Sequence, residues 1–158
     1  MPVNTEKMKF TPRKVNIFLL FKLPSAFFTG VRLKSLTNDA AVVKVTHRWM
    51  NQNPFKSMFW AVQGMASELS TGILVMKEID TSNRKISMLV TNMNGTFTKK
   101  ATGKIRFECN QGQLIRETIQ KAIETGEGQT VIVTSEGFNE EGISVSKFEY
   151  EWSLKVKL

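Results

Sequence analysis

The chain has 158 residues, of which 41% are hydrophobic, four are proline and ten are glycine. These values fit one domain with a core of its own, and they exclude a disordered chain and a solenoid of short repeats. The single cysteine, Cys109, excludes an internal disulfide, and the longest apolar run, residues 17–21, is far shorter than the ~20 residues that span a bilayer. Residues 1–6 show no apolar run of the kind that a secretory leader needs, so we expect a cytoplasmic protein.

The net charge of +8 is distributed unevenly along the chain. Residues 1–36 contain seven Lys or Arg and one Glu, and they therefore hold +6 of that charge. A basic segment can meet nucleic acid, an anionic membrane or the phosphates of a small ligand. No helix-turn-helix, zinc-ligand set or aromatic RNA-binding strand accompanies it, so we expect no nucleic-acid partner.

The first predicted element is a helix that opens at Thr11-Pro12, where a capping hydroxyl precedes a proline in the first turn. Pro24 ends it. The helix is basic and rich in phenylalanine, which is typical either of a segment that touches a membrane or of one that covers an open end of its own sheet. We favour the second interpretation.

Two strands follow, separated by a turn at Asn38-Asp39. In the second strand Val43, Val45, His47 and Trp49 alternate with polar residues, as in a half-buried strand. His47 is the only histidine of the chain, and no cysteine cluster accompanies it, so we expect no metal site.

The strongest helix signal covers residues 57–77. Apolar residues step by three or four positions and predict one buried stripe: Met58, Val62, Met65, Leu69, Ile73 and Met76. Beside the stripe lies a row of very small residues, Ala61, Gly64 and Gly72, with Glu68 among them. Small side chains let another backbone come close, so this row predicts a surface on which a second copy of the chain packs.

The remaining segments predict four strands and one short helix. The strands are residues 86–93, 96–109, 130–135 and 143–158, and the helix is residues 111–125 with Gly126 at its end. We expect the first two strands to join at Asn94-Gly95, with a further break at Thr102-Gly103, and the last strand to carry a bulge near Ser146-Lys147. The order of elements predicts an α+β protein with an antiparallel sheet and one dominant helix.

Three segments with this order and spacing resemble the hotdog-fold thioesterase superfamily, in particular the branch around phenylacetyl-coenzyme A thioesterase. Asn53 precedes the central helix and Glu68 follows fifteen residues later, as in that family. Residues 97–103 resemble its aromatic, basic strand before a glycine, and residues 140–142 resemble the start of its last hairpin. The resemblance covers residues 31–158.

The resemblance implies a hotdog fold, in which a strongly curved antiparallel sheet wraps around a long central helix. It implies one domain over residues 1–158, with residues 1–30 as an extra N-terminal helical extension and residues 31–158 as the hotdog core. It also implies a homodimer or a dimer of dimers, with an acyl-coenzyme A or fatty-acyl ligand in a tunnel between subunits. Coenzyme A would enter only as part of the substrate, and no other cofactor is expected.

Site residues follow from the same resemblance. Glu68 would act as general base toward water or as nucleophile on a thioester, and Asn53 would orient the water or the substrate. Backbone N–H groups of Trp60 and Ala61 would hold the developing oxyanion, and Phe59 would line the substrate site. Relatives commonly have His-Gly-Gly where this chain has Phe59-Trp60-Ala61.

Lys99, Lys100 and Lys104 lie in the segment that resembles the family's ligand-side strand. They would either pair with coenzyme A phosphates or form a solvated edge that discourages sheet pairing. Two functions therefore stay open at this point. The first is hydrolysis of an acyl-coenzyme A thioester, and the second is non-catalytic binding of an acyl chain or lipid on the same fold.

Overall fold

The computed structural model of the protein describes residues 10–158. Residues 1–9 of the predicted N-terminal extension lie outside this range. The helices are α1 (Pro12–Lys22), α2 (Pro24–Phe28), α3 (Trp60–Ser82) and α4 (Gly112–Thr125). The strands are β1 (Arg32–Leu36), β2 (Ala41–Thr46), β3 (Ile86–Phe97), β4 (Lys104–Cys109), β5 (Gln129–Phe138) and β6 (Ser144–Val156). None of these helices is long and apolar enough to cross a membrane.

All six strands form one antiparallel sheet in the order β1-β2-β4-β5-β6-β3. The predicted order of elements is confirmed, with one addition: Pro24 ends α1 but also begins the short helix α2. The sheet curves around α3, which packs mainly against β2, β4 and β5. Helix α3 therefore lies toward the β1 side of the sheet and leaves β3, at the other edge, largely uncovered.

Helix α3 is buried on most of its surface, and its buried residues are partly polar. Each of four polar side chains on α3 meets one on β5 or β6. The pairs are Gln63 with Ser146 at 2.8 Å, Ser67 with Tyr150 at 2.7 Å, Ser70 with Ser135 at 2.6 Å and Thr71 with Trp152 at 3.1 Å. Such bonds add only about 1 kcal/mol each, but a mispaired one would leave buried polar groups unsatisfied. These four polar pairs, which we call the polar seam, therefore fix the position of α3 along the sheet.

The bounds of α3 differ from the predicted residues 57–77. Phe59 has extended backbone and Met58 forms an isolated bridge with Gln52, so the helix begins only at Trp60. At the other end Asn83 adopts the left-handed conformation that stops a helix, and α3 runs on to Ser82. Of the predicted stripe, Met65 and Met76 are only half-buried, and Met58 is buried outside the helix.

The strand predicted to include His47 and Trp49 ends at Thr46. A 3-10 turn over Trp49–Asn51 follows, and the Trp49 side chain is 81% exposed. The buried side chain of Asn51 holds this turn by donating to the carbonyls of Thr29 and Thr46, both at 2.9 Å. The alternating pattern predicted a strand as far as Trp49, but Trp49 belongs to the 3-10 turn and the strand ends before it.

The turn predicted at Asn94-Gly95 is wrong. Strand β3 continues through it to Phe97, and the chain reverses near Gly103, the site of the further predicted break, which has φ +69°. Gly95 pairs with Phe148 of β6, and a Cβ at Gly95 would lie 3.1 Å from the Phe148 ring. The glycine is thus required by the close approach of an aromatic ring in a strand. The bulge in β6 falls at Val145, one residue from its predicted position.

Helix α1 covers the β1 edge of the sheet, as expected. Val15 and Leu19 are its buried residues. The Asn16 side chain accepts the Leu33 N–H at 2.8 Å and donates to the Leu33 carbonyl at 3.1 Å. One amide side chain therefore takes the place that a further strand would occupy along β1.

Replacing Asn16 by alanine should destabilise the fold. Both backbone groups of Leu33 would lose their partner, which costs about 1–3 kcal/mol when the groups are shielded from water. Urea unfolding followed by circular dichroism measures the change. Asn110→Ala is the matched control, because Asn110 is exposed and its side chain makes no hydrogen bond within residues 10–158. Equal stability of the two variants would contradict the role given to Asn16.

Candidate functional site

One face of α3 stays accessible in the single chain. Ala61, Gly64, Met65 and Glu68 are spaced along that face and are all half-buried. A Cβ added at Gly64 would find no atom within 4 Å, so space is open above this part of the helix. The small-residue row predicted from the sequence therefore lines a real opening, except that Gly72 is buried.

The opposite wall of the opening is the inner face of β3. Val90, Met93 and Phe97 point to the same side of the sheet as their partners Trp152, Tyr150 and Ser146 on β6. The partners are buried, whereas Met93 is 40% and Phe97 is 47% exposed. Between the α3 face and β3 the protein thus has an apolar groove, which we call the α3–β3 groove.

Glu68 lies in the α3–β3 groove, one turn before Gly72. A Cβ at Gly72 would lie 3.4 Å from Glu68 Oε1 and 3.2 Å from the Trp152 ring, so the carboxylate and the indole flank the same bare backbone position. The Glu68 carboxylate has no hydrogen-bond or ion-pair partner among residues 10–158. Burial raises the pKa of Glu68 above its ordinary value.

Tyr150 is an ionisable neighbour of Glu68 that was not among the site residues predicted from the sequence. Its hydroxyl lies 2.7 Å from Ser67 Oγ and donates to the Gly64 carbonyl at 3.0 Å. Burial, with a smaller contribution from the charge of Glu68, raises the pKa of Tyr150 to about 12. Tyr150 lies in the last predicted strand, but only the fold shows that its buried face lies beside Glu68.

The start of α3 offers free backbone donors. Phe59 is the N-cap residue and no side chain caps the helix. Within the described part of the chain, the N–H groups of Trp60 and Ala61 have no acceptor. They lie at the positive end of the 23-residue helix, where an anion is favoured. The Phe59 and Trp60 rings are both about half exposed and contact each other edge to face at 5.8 Å.

The structure does not bring Glu68 and the free N–H groups together within one chain. Glu68 follows Trp60 by eight residues, and at 1.5 Å of rise per residue the two positions are about 12 Å apart along the helix axis. A single carbonyl group therefore cannot contact both within the same copy.

Asn53 is occupied by its own loop. Its Oδ1 accepts the N–H groups of Phe55 at 2.9 Å and Ser57 at 3.2 Å, and its Nδ2 donates to Ser57 Oγ at 3.0 Å. These bonds shape the turn that leads into α3. Its contact with water or substrate stays a prediction, while its bonds give it a positioning role toward the helix start.

The three predicted lysines do not share one site. Lys99 and Lys100 line an open groove of about 510 Å³ next to the start of α3, together with Phe55 and Phe97. Lys104 lies beyond the turn and lines a different groove, on the outer face of the sheet. Phe97 also belongs to the inner face of β3, so it borders both the first groove and the α3–β3 groove.

Comparisons with known proteins agree with this architecture. The family described as "Domain of unknown function (DUF4442)" matches residues 12–154. No curated protein is detectably similar in sequence.

Three solved structures illustrate the likeness. A Pseudomonas aeruginosa protein of unknown function, named a probable thioesterase, has 21% identity and a TM-score of 0.78, with 93% of this chain and 97% of that chain covered. A protein of unknown function from Chlorobaculum tepidum has 17% identity and a TM-score of 0.78, with 93% and 98% covered. A Haemophilus influenzae thioesterase has 14% identity and a TM-score of 0.67, with 95% and 94% covered. The hotdog fold is confirmed, and two of these structures are of proteins named as a probable thioesterase and a thioesterase.

The raised pKa of Glu68 makes a prediction about stability. The native state holds this proton to higher pH than the unfolded chain, so the free energy of unfolding should fall as pH rises from about 4.3, the ordinary carboxyl value, through the raised pKa. Glu68→Gln removes the ionisable group, so the free energy of unfolding of this variant should not fall in that way. The variant should be more stable than the parent at neutral pH, and the difference should vanish below about pH 4.

Urea unfolding at a series of pH values measures this difference. Glu127→Gln is the control, because Glu127 is exposed and should change stability little at any pH. A gap between parent and Glu68→Gln that stays constant from acid to neutral pH would contradict an elevated pKa for Glu68.

Proposed function

The chain belongs to the DUF4442 family, and we propose that it is an acyl-coenzyme A thioesterase whose working site is completed by a second copy of the chain. The observation that carries the proposal is the Glu68 carboxylate. It is half-buried beside Trp152, faces an apolar groove, and lacks a hydrogen-bond partner among the described residues. An unpaired carboxylate in such surroundings has a free energy cost and is available to accept a proton.

The chemistry follows from these groups. Glu68 takes a proton from water while the water oxygen bonds to the thioester carbonyl carbon. The carbonyl oxygen gains negative charge, which the N–H groups of Trp60 and Ala61 stabilise at the positive end of α3. The carbon–sulfur bond then breaks, and the leaving thiolate takes the proton from Glu68. The products are a carboxylic acid and free coenzyme A, and a raised pKa moves Glu68 toward the value that suits a base near neutral pH.

A second copy is needed because one chain separates its own Glu68 and Trp60 by about 12 Å along the helix. Two α3 helices that pack antiparallel along their small-residue faces bring the start of each helix toward the Glu68 of the other. Ala61 and the open space above Gly64 permit that close approach. We propose a homodimer built this way, which can pair further into a dimer of dimers.

Strand β3 supports the same assembly. It is a 12-residue edge strand that pairs only with β6, and its sequence contains no charged residue and no proline. Proteins usually protect such an edge with charges, prolines or a cover. A second β3 added antiparallel would satisfy its free backbone groups and close the α3–β3 groove into a tunnel.

The groove beside Lys99 and Lys100 is a suitable entrance for the coenzyme A part of the substrate. Both lysines are exposed, and Lys100 Nζ donates to the Phe55 carbonyl at 3.2 Å. Two ammonium groups at the mouth of an apolar groove suit a ligand with phosphates at one end and an acyl chain at the other. Lys104 faces another groove, so we do not include it in this entrance.

A second candidate function is non-catalytic binding of an acyl chain or lipid. The Phe59–Trp60 pair favours it, since two aromatic rings stand beside the N–H groups that would hold the oxyanion. A carrier would keep the apolar groove and the dimer without turnover. The two functions differ in what they require of Glu68.

Glu68→Gln should lower kcat for acyl-coenzyme A hydrolysis at least ~100-fold, the low end for a positioned general base. Glutamine keeps the size and polarity of the side chain but cannot accept the proton. The KM should change little, because the base acts chiefly in the transition state. Release of free thiol from short, aromatic and long acyl-coenzyme A esters measures the rate, and Glu127→Gln is the control.

The outcomes separate the candidate functions. No thiol release by the parent, together with acyl-ligand binding that Glu68→Gln leaves intact, would support the carrier. Dissociation of the dimer by Glu68→Gln in a parent without activity would make Glu68 an interface residue and would end its assignment as the base.

Gly64→Gln should disrupt the dimer without harming the chain's own fold. The new side chain enters open space in the single chain, and glutamine is favoured over glycine in a helix by up to about 1 kcal/mol. Light scattering at micromolar concentration should show the parent near twice 17.9 kDa, or near four times that mass for a dimer of dimers, and the variant near 17.9 kDa. Leu114→Gln, on the exposed face of α4, is the control. A parent that is a folded monomer, or a variant that stays dimeric, would contradict the proposed interface.

A further inference from the structure

The charge asymmetry of the chain is concentrated in one part of the fold. Residues 10–67 contain eight Lys or Arg and one acidic residue, Asp39, which makes +7. Residues 68–158 contain twelve Lys or Arg and twelve Asp or Glu, which makes zero. Residues 10–67 comprise α1, α2, β1, β2, the turn and loop that follow β2, and the first eight residues of α3. All of the basic residues except Lys56 of that loop lie on α1, β1, β2 or the turn after β2, so most of the positive charge gathers on the β1 side of the sheet.

Helix α1 at that edge is apolar on both of its faces. Val15 and Leu19 face the sheet, while Ile17 and Phe21 lie on the opposite side, 51% and 74% exposed. A surface helix normally carries only polar residues on the face turned away from the core. Here Arg13 and Lys14 accompany the exposed apolar residues on the outer side, which gives that face a mixed basic and apolar character.

The exposed apolar surface continues beyond α1. Phe28, at the end of α2, is 57% exposed. Arg48 donates to the Phe28 carbonyl at 3.0 Å, which ties the end of α2 to the turn that carries the exposed Trp49 and Met50. We call the outer side of α1, Phe28 and this turn the α1 surface.

A basic groove of about 390 Å³ adjoins the α1 surface at Gly30. Lys34, Lys44 and Lys104 line it, and none of the three forms an ion pair within residues 10–158. Arg106 also lines it but is paired with Glu108 at 2.6 Å, and Glu140 is the one acidic residue that lines the groove. Unpaired ammonium groups around a groove next to exposed aromatic and aliphatic side chains favour a partner that is both anionic and apolar.

We propose that the α1 surface docks on an anionic lipid bilayer, with Phe21, Phe28 and Trp49 inserted at the headgroup level and the lysines against the lipid phosphates. A second copy of the chain is a poor occupant, because two surfaces of this charge repel each other. Nucleic acid would match the charge, but not aliphatic Ile17 and Met50. The surface lies at the β1 edge, opposite β3, so it remains free in the proposed dimer. The inference does not rest on thioester hydrolysis.

Co-sedimentation of the full chain with vesicles tests the proposal. We expect binding to phosphatidylcholine vesicles containing about 30 mol% phosphatidylglycerol, much weaker binding to phosphatidylcholine alone, and weakening as salt rises above ~0.1 M. The double variant Phe21→Ser/Phe28→Ser should bind the anionic vesicles at least about tenfold more weakly, since each ring contributes buried apolar area.

The control is Leu114→Ser/Ile132→Ser, which removes two exposed apolar residues from the electrically neutral part of the chain. It should leave vesicle binding unchanged, and circular dichroism should show that both double variants fold. Absence of binding to anionic vesicles would overturn the proposal, as would an equal loss in the control. Tighter binding to a single-stranded oligonucleotide, with the same loss in Phe21→Ser/Phe28→Ser, would assign the surface to nucleic acid instead.

Discussion

The inner face of the six-stranded sheet is wider than one helix can cover, and most features of the protein depend on this mismatch. Helix α3 lies against β2, β4 and β5, where the polar seam with β5 and β6 holds its register. The inner face of β3 is left half exposed beside Glu68. A groove with an apolar wall and one carboxylate is the direct result.

The two edge strands of the sheet, β1 and β3, differ in whether their free backbone groups are covered. At β1 the chain caps itself, since Asn16 bonds both backbone groups of Leu33 and α1 packs over the edge. At β3 it leaves twelve residues without charge, proline or cover on their free side. An edge that is protected and one that is open imply that growth of the sheet is permitted in one direction only, which is the condition for a closed dimer rather than a fibre.

Local signals predicted much of this structure. Thr11-Pro12 marked the start of α1 and Gly126 marked the end of α4, while the role given to Asn53 and Glu68 stays a prediction. The predictions failed where a residue far away in the sequence determines the local structure. The Phe148 ring, not a turn, accounts for Gly95, and the polar seam depends on partners more than sixty residues away. No pattern within one segment contains that information.

Two glutamates on α3 show why Glu68 stands out physically. Glu78 is buried, and its carboxylate bonds Arg116 at 3.2 Å, so its charge is compensated. Glu68 is ten residues earlier on the same helix, and burial raises its pKa with no cation bonded to it in the described chain. A fold built only for stability would pair this carboxylate, as it pairs Glu78 with Arg116, or replace it with an uncharged residue. Uncompensated local costs are expected where a residue serves chemistry or a partner, and among the described residues Glu68 carries such a cost.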